Sequence, residues 1–548
     1  MDLYSNRLDF EFFICVFLAP MTTSSFLKFI FFLLVLVFSS CKEKYSDKNL
    51  SIFRYNESAG INSLDPAFSK DQASVWVANQ IFDGLVQVDS QLNVIPSIAH
   101  SWTISEDAQS YTFHLRNDVL FHQHSLFEDY QDRVVKADDF VYSFNRLIDK
   151  VVSSPGAWVM NNVDYYEAID DSTFFIRLKT PFPPFLGLLT MPYCSVVPKE
   201  IVENTSFRDA PIGTGPFHFQ YWKENIKLVL RKNEDFFENG LPILDAIAIT
   251  FIKDKQTAFL EFVKGNLDFI SGLDASYKDE VLTPQGQLQD NYIGKIQIQT
   301  LPYLNTEYLG FLMDDNNLSA SQHLAVRKAI NYGFSRQKMI TYLRNNIGSP
   351  AKKGFVPKGL PSFTESLNGY DYKPEQARQL LADAGLSTPL TIELNTTSSY
   401  LDLCEFIQNQ LTEVGIQLEI NINLPSTHRQ MVATSKLDFF RGSWIADYAD
   451  AENYLALFYS KNFCPNGPNY THFSNPTYDN YYELALKEVN LEKRHSYYHL
   501  MDQMIIDEAA IVPLYYDQVI RFVQNNIIGF ESNAMNLLEL KTVQKLKP

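Results

Sequence analysis

Along most of its length this chain switches between two periods of hydrophobicity. From Tyr111 to Arg116 the residues alternate, Tyr111, Phe113 and Leu115 on one face and Thr112, His114 and Arg116 on the other, which is the pattern of a half-buried strand. Ile226 to Arg231 and Ala246 to Phe251 read as further strands. A helix is expected from about Asp254 to Lys264, apolar at 259, 260, 262 and 263 and stopped by Gly265. A second, Pro374 to Ala384, is closed by Gly385 and leads into a strand Leu390 to Leu394. A third, from about Leu403 to Val414, leads through Gly415 into Ile416 to Ile422. Strand–helix–strand order favours parallel pairing with right-handed crossovers, so the fold class is α/β.

Phe26 to Phe38 is almost wholly apolar, broken only by Lys28, and ends in Ser39-Ser40-Cys41. A positive residue, a short apolar core and small residues before a cleavage point describe a signal peptide. The run is shorter than the ~20 residues a bilayer span needs; an uncleaved anchor is the alternative. Residues 1–40 are therefore read as the leader, with Met21 a second candidate start because Asp2, Asp9 and Glu11 fit no leader layout. Cysteine after two serines resembles a bacterial lipobox, which makes Cys41 the expected lipidation site and 41–50 a lipidated tether. The remaining chain is too long for one core. Its 46% hydrophobic and 20% charged residues are those of a globular protein, and a net charge of −18 should repel nucleic acid and anionic lipid. Beyond Cys41 only Cys194, Cys404 and Cys464 remain, enough for one disulfide at most.

Several strings occur in a fixed order. Ser63-Leu64-Asp65-Pro66 and Ile81-Phe82-Asp83-Gly84-Leu85 come first. Pro96 to Phe121 follows, with Ala99, Trp102, Asp107, Tyr111-Thr112-Phe113, Leu115-Arg116, Val119 and Phe121. Lys136 to Phe144 with Arg146, then Gly213-Thr214-Gly215-Pro216-Phe217 with Trp222, then Gly265 with Asp268 come next. Arg327, Ala329, Ile330 and Asn331, Pro357 and Gly359, and Pro513-Leu514-Tyr515-Tyr516 complete the series. The series resembles the family 5 extracellular solute-binding proteins, the peptide- and nickel-binding receptors of bacterial ABC importers. Asn117 and Leu120 depart from the family's pattern. So does the loop His122 to Arg133, where His122, His124, Glu128, Asp129 and Asp132 suggest either a metal site or, as read here, a solvated surface insertion.

The resemblance implies a two-lobed periplasmic-binding-protein-like fold with an extra small domain in the first lobe, hinged by crossover strands near Tyr303 to Thr306 and Pro513 to Tyr516. Residues 51–92 then open lobe 1, 93–210 form the small domain and 211–304 continue lobe 1. Residues 305–513 form lobe 2, and 514–548 return to lobe 1.

The segment Asp438 to Asp450 is the leading functional candidate. An apolar strand delivers Trp444, and a polar turn presents Asp447 and Asp450. By resemblance Asp447, in a Trp-x-x-Asp motif, accepts a peptide's α-ammonium through a charge-assisted hydrogen bond. A helix cap is the other reading, with Asp450 the better capping residue. Trp444 flanks the ligand or fills the lobe. Arg441 meets the ligand carboxylate or forms an internal ion pair. Trp158, in Ser153 to Trp158, faces the cleft or the surface.

The resulting expectation is the substrate-binding component of an ABC importer. It captures short peptides between its lobes and delivers them to a permease in the inner membrane, as a monomeric periplasmic lipoprotein held by Cys41. No cofactor or resident metal is implied. G-x-S-x-G, H-E-x-x-H and G-x-x-x-x-G-K-[ST] are absent, which argues against an enzyme. The alternatives are the same fold with a non-peptide cargo (nickel, haem, oligosaccharide), a surface protein that has lost transport, or a secreted hydrolase using Asp447 and Asp450.

Overall fold

Two strands, Ile296–Phe311 and Ile511–Gln524, run antiparallel through the middle of an eleven-stranded sheet. In the larger of their two register shifts Pro302 sits opposite Gln518 and Thr306 opposite Tyr516, leaving Tyr303, Leu304 and Asn305 to face Asp517 alone. A bulge of this kind bends the ladder and adds twist. On one side of it lie Phe269–Ser271, Ile52–Asn56, Ala246–Thr250, Lys227–Lys232 and Phe217–Lys223. On the other lie Phe439–Ile445, Leu390–Thr397 and Ile416–Asn423. The molecule therefore has two lobes, and each has its own core. One core gathers Phe53, Phe113, Phe140 and Ile247; the other gathers Tyr454 and Met501, with a second cluster round Leu309 and Ile407. The computed structural model describes residues 50–127, 132–274, 277–314 and 319–547. The leader, Cys41 and the rest of the tether before residue 50, with Glu128 and Asp129, lie outside them. From Ser51 onward the chain is one compact unit.

Local sequence explains the elements. Asp254 caps the helix Lys255–Val263 by accepting the Thr257 N–H at 2.7 Å, and Gly265 follows in the left-handed region at φ +78°. Pro374–Asp383 precedes Leu390–Thr397, Leu401–Thr412 precedes Ile416–Asn423, and these two strands pair in parallel. Within 93–210 a second, antiparallel sheet runs in the order Ala99–Ile104, Ser110–Leu115, Thr173–Leu178, Val163–Asp170. Tyr111, Phe113 and Leu115 face inward. The helix Ala137–Ile148 covers that face, with Phe140 and Phe144 ring centres 5.6 and 5.5 Å from Phe174. The buried ion pair of Arg146 with Asp65 ties this layer to the Ser63–Pro66 segment. Cys194, Cys404 and Cys464 are buried and unbridged.

One reading of the sequence needs correction. The loop after Phe121 is not simply a solvated insertion, because His122 is buried. Its Nδ1 accepts the Gly213 N–H at 3.2 Å and its Nε2 meets the Gly215 carbonyl at 2.9 Å. Gly213 and Gly215 press on the Ile81 backbone, where a Cβ at either would come within 2.1 or 2.5 Å. The imidazole thus pins a turn that only glycine can make. Among the described residues no group of histidines, cysteines and acids is arranged to hold a metal.

Burial pushes the His122 imidazole down to about 3, with the Gly215 hydrogen bond opposing. The unfolded chain takes up this proton below about 6.5, so the contribution to stability is complete above that pH and is lost as pH falls towards 3. The wild type should lose about 1.5 kcal/mol from this group between about pH 6.5 and 5. His122→Gln, compared by denaturant melts at the two pH values, should lack that component.

Candidate functional site

Between the lobes, on the bent part of the long strands, lies a cavity of about 750 Å³. Asn56, Glu57, Trp76 and Lys278 wall it from the first lobe, Arg344, Tyr400 and Asp402 from the second, and Tyr303, Tyr515 and Asp517 form its floor. Open α/β sheets place ligand crevices beyond the carboxyl ends of strands. Here Leu390–Thr397 ends at this cleft and delivers Tyr400 to its wall.

Beneath the floor runs a chain of polar contacts. Arg441 pairs with Glu307, and both side chains are almost fully buried. The Asn305 amide donates to Glu307 at 3.1 Å and to Asp517 at 3.2 Å. Arg344 donates to Asp517 at 2.8 Å and to the Tyr515 hydroxyl at 2.9 Å. The Arg441 guanidinium lies 3.2 Å from the Tyr400 ring centre. Burial raises the Glu307 carboxyl, and the adjacent Arg441 charge pulls it back down. The structure thus puts Arg441 in an internal ion pair behind Tyr400, off the cavity wall.

Asp447 is exposed to solvent yet has much protein around it, and it is not among the residues that line the cavity. That surrounding protein lifts its carboxyl above the usual range, partly offset by the Asn453 amide, which donates at 3.3 Å. Among the described residues no cation pairs with it. Asn453 Oδ1 also accepts the Trp444 Nε1–H at 2.9 Å and the Asp447 N–H at 3.2 Å. Trp444 packs half-buried against the second lobe's core. Asp450 accepts the Glu452 N–H at 2.9 Å and the Tyr498 hydroxyl at 2.7 Å, so it serves the short helix Glu452–Leu455. Trp158 is 38% exposed and lies off the cavity wall.

Sequence reasoning missed Tyr193, Tyr448, Asn453 and Arg344. Tyr193 belongs to the small domain; its hydroxyl is pushed up to about 12 by burial and then by the negative charges of Asp447 and Asp71. The Tyr454 hydroxyl is raised far by burial and feels both Tyr303, on the cavity floor, and Asp447. Tyr448 leaves its own lobe's core to join that of the first lobe. There its Cβ lies 3.7 Å from where a Gly187 Cβ would be. The Tyr448 ring thus packs against the Gly187 backbone, a contact invisible without the fold.

Fold and cleft together define a two-lobed binding protein for a small solute. A family model for the bacterial extracellular solute-binding proteins, family 5, matches residues 93–463, and the chain belongs to that family. It is 25% identical over 484 residues to the glutathione-binding protein GsiB of Escherichia coli strain K12, covering 86% of this chain and 90% of that protein. It superposes with a TM-score of 0.74 on the periplasmic binding protein DppA of Helicobacter pylori in complex with the peptide STSA, at 23% identity over 90% of this chain and 98% of the other. NikZ of Campylobacter jejuni in complex with Ni(L-His) gives 0.70 at 22% identity over 89% and 97%. The protein is thus the substrate-binding component of an ABC importer, a transport protein rather than an enzyme.

Because Asn453 satisfies both the indole and the Asp447 N–H, Asn453→Ala should destabilise the protein by about 2 kcal/mol, the penalty of leaving such donors unpaired. Urea unfolding with an unchanged m-value would measure it.

Proposed function

We propose that this protein captures short peptides between its lobes and hands them to a membrane permease. The observation that carries this reading is an open strand edge that leads directly to Asp447. Phe439–Ile445 pairs along its whole length with Asn305–Phe311, but on its other side meets Leu390–Thr397 only at Phe440 opposite Asn395. His428 takes the Arg441 carbonyl at 2.8 Å, and the backbone from Gly442 to Ile445 remains for an extended ligand. A peptide added there is held by main-chain hydrogen bonds whatever its side chains, and its α-ammonium falls to Asp447. An unpaired carboxylate ringed by protein is costly, and an ammonium relieves it. The peptide STSA in the Helicobacter pylori protein supports the same cargo class; glutathione and Ni(L-His) name the cargoes of the other two relatives.

Closure brings Tyr448 onto the small domain, and the lobes divide near 305 and 513, where the long strands change register. Cys41 carries the lipid anchor, and the folded body works as a periplasmic monomer. None of the described helices is long and apolar enough to cross a membrane.

Asp447→Asn should weaken binding of a tripeptide with a free amino terminus at least tenfold in calorimetry, about 1.4 kcal/mol or more. The N-acetylated tripeptide should bind wild type and variant equally weakly. Equal affinity of the free peptide for both proteins would remove the ammonium site. Mass spectrometry of ligand released from denatured wild type tests the cargo itself: mixed short peptides are expected, and a single non-peptide species would overturn the reading.

A further inference from the structure

We propose that Arg344, rather than Arg441, supplies the positive charge that receives the ligand's carboxylate. The proposal rests on the peptide reading above and assigns the other end of the same ligand. A carboxylate entering a closed cleft loses its water and needs donors in return.

Arg441 is badly placed to give them. Its side chain is 10% exposed, it already faces Glu307, itself 4% exposed, and the Tyr400 ring covers it. Turning it towards a ligand would strand Glu307 as a buried, unpaired charge, a strongly unfavourable outcome.

Arg344 has the opposite disposition. It closes the helix Arg336–Arg344 and lines the cavity with a side chain 30% exposed. Its Nε donates to the Ile347 carbonyl at 3.1 Å, one terminal nitrogen to the Tyr515 hydroxyl at 2.9 Å and the other to Asp517 at 2.8 Å. Those contacts use three of the five N–H groups of a guanidinium and hold its plane, leaving one N–H on each terminal nitrogen to donate to a carboxylate. The Tyr515 ring centre lies 4.4 Å from the guanidinium carbon and holds it from one face.

A second cation reinforces this end. Lys278 crosses from the first lobe to donate to Asn345, the residue after Arg344, at 2.9 Å. Its other partner, Asp279, is 75% exposed and so neutralises it weakly. Asp517, the carboxylate that pairs with Arg344, is shared with the Asn305 amide and the Gln518 N–H. Arg344 and Lys278 thus bring two cations to one end of the cavity, each only partly offset by its carboxylate partner.

The test is a library of tripeptides to pentapeptides offered with free and with amidated carboxyl termini. Retention on the protein after gel filtration is counted by mass spectrometry. Wild type should retain the acids at least tenfold over the amides. Arg344→Gln should bring that ratio close to one while still retaining amidated peptides, which shows that its cleft is folded. Arg344→Lys, which keeps the charge but not the fork, should lower the ratio at least threefold and decides the matter if the glutamine variant does not fold. A wild-type ratio near one, or a ratio unchanged in either variant, would overturn the assignment and leave the peptide reading standing. Retention of neither library by wild type would overturn both.

Discussion

Everything in this molecule hangs on two strands that cross from one lobe to the other and lose register where they cross. Between Pro302 and Thr306 three residues face Asp517 alone, so the ladder that binds the lobes together is interrupted at the one place where they can bend. The freed backbone is not left unpaired: the Leu304 N–H donates to the Ala534 carbonyl at 2.8 Å, and the Leu304 carbonyl accepts from Ala446 at 2.9 Å. Both lobes thus hold the bend, and the cavity opens over it. The polar chain Arg441–Glu307–Asn305–Asp517–Arg344 lies in the same few residues. Buried ion pairs of this kind add little net stability, but breaking one is costly. Their effect here is to specify one geometry for strands whose main-chain pairing is locally broken.

The turn after Phe439–Ile445 joins two events that transport needs to keep together. Asp447, the proposed ammonium site, is exposed, and the next residue, Tyr448, is buried in the other lobe's core against Gly187. Glu452 accepts the Tyr448 and Tyr482 hydroxyls from below, so the turn is braced by its own lobe while its tip docks on the other. In the proposed reading, a ligand that stabilises Asp447 in this position also stabilises Tyr448 in its seat. Closure then follows from differential contact in the closed form, which is the only way a ligand can shift such an equilibrium.

Much of this was legible in the sequence, and the division between what was and was not is physical. Capped helices and alternating strands are written within ten or so residues: Asp254 and Gly265 bracket one helix, and Tyr111, Phe113 and Leu115 declare one face of a strand. Asp450, read as a local cap, does accept the Glu452 N–H beside it. Partners far along the chain were not legible. Glu307 lies 134 residues before Arg441, and nothing near either names the other. His122 looked like surface because its neighbours are polar, yet its fate is decided by Gly213 and Gly215, more than ninety residues on. Tyr193 and Gly187 acquire meaning only when the small domain is laid against the second lobe.

The charges along the cleft also bear on how such a receptor can be both tight and tolerant. Cations and anions on the cavity wall are mostly neutralised locally, Lys255 by Asp274 and Arg344 in part by Asp517, so the wall imposes no single sign on a ligand side chain. If short peptides are the cargo, as proposed, selectivity should concentrate at the ligand's ends and along its backbone, where every short peptide is alike. Side chains in between meet Trp76, Tyr303 and Tyr400, aromatic faces that accept apolar groups by contact and cationic ones through their π-systems. A wall of this composition penalises few residues strongly, which is the physical requirement for binding peptides of mixed sequence in one cavity.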